Sequence, residues 1–298
     1  MSASTASITA GQSADDTRPS VDAVIAIFNE LPEHVLRTAQ PCIAQSFPIA
    51  HIRIVDDGSV TPFQLPAGSD SRIEILRLSD NGGVSRARNA AIANSDADFV
   101  LCLNAEVDLP SDWLEKMIRF LVDHPNVGAA CGRILPNGNS IYSQWRMRYQ
   151  EQPYERSSGS HAIDFATGHA VVFRRKALAE VGGYDEKLAF TEDHDICRKL
   201  KAIGLSTWVV DGCVSQSLQH DEPMQLAKKQ LRHSGWMNRR GTFTDVRAIR
   251  RLPATLTTMR DLLIGLGRDL LKGRWQLLWA DLVVAGCALR IVWLVPTK

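Results

Sequence analysis

The stretch Asp98–Pro110, DFVLCLNAEVDLP, sets the architecture. Asp98 to Leu103, DFVLCL, is an apolar run of strand length. Strands that are apolar throughout belong to the middle of a parallel sheet covered by helices on both faces. The run breaks at Asn104-Ala105-Glu106, and Asp108, Pro110 and an amphipathic helical pattern over Asp112–Asp123 follow. In such sheets ligands sit beyond the carboxyl ends of the strands, so a carboxylate at this break stands where chemistry is expected. Mg2+ and Mn2+ take oxygen ligands of this kind and bridge diphosphate oxygens. An isolated acid here would serve a turn or a helix N-cap equally well.

The same pattern recurs on either side. Val21–Phe28 (VDAVIAIF) and Ile52–Val55 are β-branched runs, with helical character over Leu31–Gln45 between them. The second run ends abruptly at Asp56-Asp57-Gly58-Ser59. A third strand is predicted over Ile73–Leu78, stopping at Asn81-Gly82-Gly83 before a helix over Val84–Ala93. Further strands are expected over Val127–Leu135, Ala170–Phe173 and Trp208–Val210, with a helix over Asp193–Ala202 closed by Gly204. Strands alternating with helices predict an α/β fold with a mostly parallel sheet. From Pro223 the pattern is helical and basic. The reading is therefore a disordered leader over 1–20, a catalytic domain over 21–222 and a helical, basic extension over 223–298.

Composition narrows the function. Thirty-four Lys and Arg against 33 Asp and Glu leave no broad field for nucleic acid, so no nucleic-acid partner is expected. The six cysteines, Cys42, Cys102, Cys131, Cys197, Cys213 and Cys287, form no C-x-x-C pair and read as reduced, buried thiols of a cytoplasmic protein. The first twenty residues lack the basic start and apolar centre of a secretory signal. Leu277–Pro296, LLWADLVVAGCALRIVWLVP, is long enough to cross a bilayer but contains Asp281 and Arg290. Each charge at the bilayer centre costs about 3 kcal/mol on insertion scales, which favours a helix lying on a membrane or on the domain. Lys228, Lys229, Arg232, Arg239, Arg240, Arg247, Arg250 and Arg251, with Trp236, Trp275, Trp279 and Trp293, fit an interfacial helix or a solvated face over a core.

Three further positions bear chemistry. Asp56 and Asp57 are placed to accept hydrogen bonds from a nucleobase or ribose, although Asp-Gly is also a common turn pair. Thr191-Glu192-Asp193-His194-Asp195 gathers three carboxylates in five residues. Repulsion and burial raise the pKa of one member of such a set toward the range of a general base, while an acidic first helical turn is the structural alternative. His220 offers a nitrogen ligand. Arg86 and Arg88 cannot share a helix face, so at most one points at a nucleotide.

Taken in order, these segments resemble the family 2 glycosyltransferases of the GT-A fold over about Val21–His220. The matches are VIAIFNE (Val24–Glu30), VDDGS (Val55–Ser59), NGGVSRARNAAI (Asn81–Ile92), LNAEVDLPSDWL (Leu103–Leu114), ATGHAVVFRRKALAEVGGYDE (Ala166–Glu186) and TEDHDICRKLKAIG (Thr191–Gly204). The resemblance implies a GT-A domain in which Ile27 and Asn29, with Asp56 or Asp57, form the nucleobase and ribose pocket. Arg88 matches the arginine of the family's A-R-N helix. Asn104-Ala105-Glu106 takes the place of the Asp-x-Asp motif, with Glu106 holding Mn2+ or Mg2+ on the diphosphate and His220 resembling the late metal ligand. Asp193 matches the catalytic base for a single inverting displacement, and Gly168, His169 and Glu192 lie on the acceptor side. The implied donor is a nucleoside-diphosphate sugar, and the implied acceptor a glycan or lipid-linked intermediate at the inner face of the membrane.

Two departures stand out: the first Asp of the motif is Asn104, and the last is Glu106, one methylene longer. The Q-x-x-R-W signature of processive synthases is absent, since Gln230 is followed by Leu231-Arg232-His233-Ser234, which favours one sugar addition over polymer synthesis. A sugar-1-phosphate nucleotidyltransferase would need a Gly-rich triphosphate loop that Val24–Glu30 lacks. A degenerate domain that binds nucleotide or glycan without turnover is the non-enzymatic alternative, motivated by Asn104 and Glu106.

Overall fold

A computed structural model describes residues 18–138, 140–150, 159–188, 191–233 and 251–294. The expected leader, most of residues 1–20, lies outside these, as do Trp236, Arg239, Arg240, Arg247 and Arg250. In chain order the elements are β1 (Val21–Ile27), α1 (Pro32–Ile43), β2 (His51–Asp56), β3 (Ile73–Arg77), α2 (Val84–Ala93), β4 (Phe99–Asn104), β5 (Val107–Asp108), α3 (Trp113–Asp123) and β6 (Val127–Leu135). They continue as α4 (Ile141–Gln150), β7 (His161–Ile163), β8 (Ala170–Arg174), α5 (Arg175–Glu180), α6 (Glu192–Ala202), β9 (Ser206–Ser217), α7 (Pro223–His233), α8 (Arg251–Leu271) and α9 (Trp275–Leu294).

The strands form one sheet in the order β3-β2-β1-β4-β8-β6-β9-β5, with β7 on β9. Alternate residues point to opposite faces, which explains why the central strands are apolar throughout. Ile25, Ile54 and Leu101 pack on one face under α1 and α3, with Val35, Trp113 and Met117. Val24, Val55, Val100 and Cys102 pack on the other under α2, α5 and α6, with Ala87, Leu178 and Leu200. All six cysteines are free.

The sheet is parallel through β3, β2, β1 and β4, as expected. Beyond β4 it is mixed: β8 runs antiparallel to both β4 and β6, while β6 and β9 are parallel. β8 and its neighbour β6 are separated in the chain by α4 and by β7, which pairs with β9 rather than with β8. The strand expected over Trp208–Val210 lies in the first half of the much longer β9.

The extension has its own core, in which Trp145 of α4 packs with Leu226 and Leu231 of α7, Ala254 of α8, and Leu277, Ala280, Val284 and Ala288 of α9. A buried polar node pins it to α4. Arg148, 1% exposed, donates to Asp281 at 2.9 and 3.0 Å and also to Asp269, and Trp145 Nε1 donates to Asp281 at 2.8 Å. Asp281, the acid that argued against a membrane span, is thus an internal partner.

Candidate active site

In the order β3-β2-β1-β4 the chain leaves β1 toward one side and returns to the other, so the crevice between β1 and β4 is the topological switch point. Asn29-Glu30 and Asn104-Ala105-Glu106 face each other there.

On the β1–β2 side the polar residues mostly hold one another. Asp56 is fully buried and accepts from Ser59 N–H at 2.8 Å, Phe63 N–H at 3.1 Å and Arg77. Asp57 accepts from Gly82 N–H at 3.0 Å and Gly83 N–H at 2.7 Å, clamping the loop before α2. Burial raises the Asp57 pKa against the lowering by these two amides. The Ile27 side chain is in the core, and its carbonyl accepts Asp57 N–H at 2.9 Å. Asn29 takes the left-handed conformation (φ 54°), donates its N–H to Ser59 Oγ at 2.8 Å and accepts from Val60 N–H at 2.9 Å. The pocket expected around these residues is a prestructured loop pair.

Glu106 is also in the left-handed region (φ 64°), where strain persists only under firm local constraint. Its N–H donates to Thr38 Oγ1 at 2.6 Å, and its carbonyl accepts Leu218 N–H at 2.7 Å. The carboxylate, 14% exposed, lies 3.4 Å from His34 Nδ1. Glu30, His34 and Glu106 present ligand atoms within 4.8 Å of one another. Two carboxylates and an imidazole suit Mn2+ or Mg2+ chemistry. Burial, and then the Glu106 charge, raise the Glu30 pKa. His220 is exposed and outside this group, though the Leu218 bond carries its segment to the Glu106 loop. Sequence reasoning missed Glu30 and His34. The signal was the spacing of four that puts His34 and Thr38 on one side of α1, with Glu30 in the loop just before it.

Across the crevice, Arg88 organises the other half. Its guanidinium, 1% exposed, donates to Asn104 Oδ1 at 2.9 Å, Gly168 O at 3.1 Å and Asp193 Oδ1 at 3.2 Å, and lies 4.0 Å from Glu192 and 5.2 Å from the centre of the Tyr184 ring. Arg86 instead faces outward to Asp80. Gly168 N–H donates to Asp193 Oδ2 at 2.7 Å. A Cβ at Gly168 would come within 2.7 Å of both Arg88 and Asp193, so a larger residue there would push these two side chains aside. Asn89 completes the clamp, accepting from Tyr184 N–H and donating to Tyr184 O, both at 2.9 Å.

Of the three acids before Ile196, Asp195 is spent on Arg198 at 2.6 Å and Lys199 at 3.0 Å, leaving Glu192 and Asp193 toward Arg88. Burial, and then the neighbouring Asp193, push the Glu192 pKa up. Burial and the cations Lys229, Arg146 and Arg88 push His169 down to about 3, keeping it neutral. Its carbonyl accepts Asn104 N–H at 3.1 Å, tying the Gly168-His169 loop to the end of β4.

The family model for glycosyl transferase family 2 matches residues 22–182. An N-acetylglucosaminyltransferase of Rhizobium sp. (strain N33) is 29% identical over 261 residues, covering 80% of this chain and 56% of its own length. A pre-mycofactocin glycosyltransferase of Mycobacterium tuberculosis (strain CDC 1551 / Oshkosh) is 30% identical over 162 residues, 51% of this chain and 34% of its own. Among solved structures, the Pyrobaculum calidifontis mannosyltransferase PcManGT in complex with GDP-Man and Mn2+ superposes with a TM-score of 0.58 at 17% identity, covering 94% of this chain and 88% of that one. The chain spans about half the length of the first two curated relatives it matches, 56% and 50%. With a GT-A sheet, an acid-bearing loop at its switch point and a family match over more than half of its length, the chain belongs to glycosyl transferase family 2.

Proposed function

We propose that this glycosyltransferase moves one sugar from a nucleoside-diphosphate sugar to a hydroxyl of a glycan or lipid-linked acceptor, with inversion, at the cytoplasmic side of the membrane. The observation that carries the reading is the position of Asp193, held by Arg88 and Gly168 across the crevice from Glu106. The donor lies over the switch point, with its base and ribose toward Asn29, Asp56 and Asp57 and its diphosphate toward Ala105 and Glu106. Glu106, with Glu30 and His34, holds Mn2+ or Mg2+. When bound, the ion offsets the charge that develops on the leaving diphosphate.

Asp193 takes the proton of the acceptor hydroxyl as oxygen attacks the anomeric carbon from the face opposite the diphosphate. Both of its oxygens are already oriented, so little reorganisation is needed in the transition state. Glu192 lies beside it on the acceptor side with Gly168 and His169. Assays with a panel of UDP- and GDP-sugars plus Mn2+, reading transfer and the anomeric configuration of the product, test the proposal. A retained configuration, or undiminished transfer by Asp193→Asn, overturns it.

A further inference from the structure

The α8–α9 hairpin is apolar on its outside as well as its inside. The helices are antiparallel: Trp293 Nε1 donates to Thr255 Oγ1 at 3.0 Å, and a Cβ at Gly265 would meet Asp281 at 2.6 Å. In α8, the positions facing the protein are Ala254, Thr258, Gly265 and Asp269. On the opposite side stand Leu256, Met259, Leu263 and Leu270, each more than 40% exposed. In α9, Leu277, Ala280, Asp281, Val284 and Ala288 face inward, while Trp275, Trp279, Leu282 and Trp293 face outward at 66, 64, 49 and 50% exposure. Ten of the 16 large hydrophobic side chains that stand exposed among the described residues belong to this one hairpin. Exposed apolar side chains scattered singly need no explanation, whereas a concentration of this kind marks a binding surface.

Charge indicates what the surface meets. Residues 251–294 contain six basic side chains (Arg251, Arg260, Arg268, Lys272, Arg274 and Arg290) and three acidic ones. Two of the acids, Asp269 and Asp281, are buried against Arg148, and the third, Asp261, pairs with Arg260 at 2.7 Å. A cationic surface rich in Trp and Leu suits the boundary of an anionic bilayer, where indole rings sit at headgroup level. Trp275–Trp293 is long and apolar enough to span a bilayer. A span would have to pull Asp281 away from Arg148 and Trp145, leaving a charge in hydrocarbon.

We infer that the outer sides of α8 and α9 form a platform that lies on an anionic lipid surface without crossing it. The charge of Lys229 in α7 is among the causes that lower the His169 pKa, which couples the extension electrostatically to the Gly168-His169 loop. A platform at this place would present the site to an acceptor held in the membrane. The inference is independent of transfer activity.

The test is co-sedimentation of the full chain with phosphatidylcholine vesicles, with and without phosphatidylglycerol. Binding that needs phosphatidylglycerol, weakens with salt, falls about fivefold in Arg290→Glu and is largely lost in Trp275→Glu/Trp279→Glu supports the platform. Both Trp positions are exposed, and circular dichroism with thermal melting checks that the variants fold. Equal binding to both vesicle types, binding unaffected by the Trp substitutions, or no binding overturns it. A concentration-dependent dimer in analytical ultracentrifugation that Trp279→Glu dissolves would assign the surface to a second copy and also overturn the inference.

Discussion

Arg88 and Asp193 are 105 residues apart in the chain and 3.2 Å apart in space, Nη1 to Oδ1. One cation thus orients the proposed base and, through Asn104, the end of the strand that presents Glu106. Asp193→Asn keeps a group that can accept from Arg88 but removes the proton acceptor. We expect kcat to fall about 10^2- to 10^4-fold with little change in donor KM, as measured by steady-state transfer. Arg88→Met leaves Asp193 without its buried partner, and we expect a loss of about 3–5 kcal/mol in denaturant unfolding.

Burial, and then the charge of the neighbouring Asp193, raise the Glu192 pKa. Glu192→Gln removes this raised carboxyl from beside the proposed base. The acid limb of kcat/KM against pH should move to lower pH. A limb that stays in place would detach Glu192 from the base.

If Glu106 and His34 hold the ion together, Glu106→Ala and His34→Ala should each weaken Mn2+ binding at least about tenfold, read by titration calorimetry or by the electron paramagnetic resonance of free Mn2+. Neither readout depends on turnover. Glu106→Asp, which shortens the reach by one methylene, should retain binding and shift the Mn2+/Mg2+ preference.

His169 is held neutral with its pKa pushed down to about 3, first by burial and then by Lys229, Arg146 and Arg88. The unfolded chain binds this proton near pH 6.5 and the folded chain does not, so stability falls as pH drops from about 6.5 toward 3. Melting temperature followed from pH 7 to pH 5, above most carboxylate titrations, should decline less steeply in His169→Gln than in the parent.

Asp281→Ala strips Arg148 of two of its hydrogen bonds inside a closed core. We expect a loss of about 3–5 kcal/mol, with proteolysis appearing first in 223–298. Asp281→Asn, which still accepts from Trp145, should lose less.

Much of the nucleotide half was legible because its strands are fully covered and their ends coincide with Asp56, Asn104 and the glycines before α2. The reversal at β8 was not. Ala170–Arg174 has the same apolar character whichever way it runs, and direction depends on the connection before it. In the site, Asp193 and Glu106 were readable from motif order. The inward turn of Arg88 and the metal-side Glu30 and His34 depend on which side of a helix meets a loop 68 to 105 residues away. Local spacing hints at such contacts without naming the partner. The partner of Asp281 was hidden for the same reason: a lone acid in an apolar helix reads only as a cost until Arg148 is seen against it.

Asn104 gains a different meaning from the company it keeps. Its amide oxygen accepts from a buried guanidinium that already faces two carboxylates. An aspartate there would be a third anion competing for a single cation and would loosen the hold of Arg88 on Asp193. Residues 88, 104, 168 and 193 therefore behave as one mechanical unit, and a change at any of them is felt by the other three.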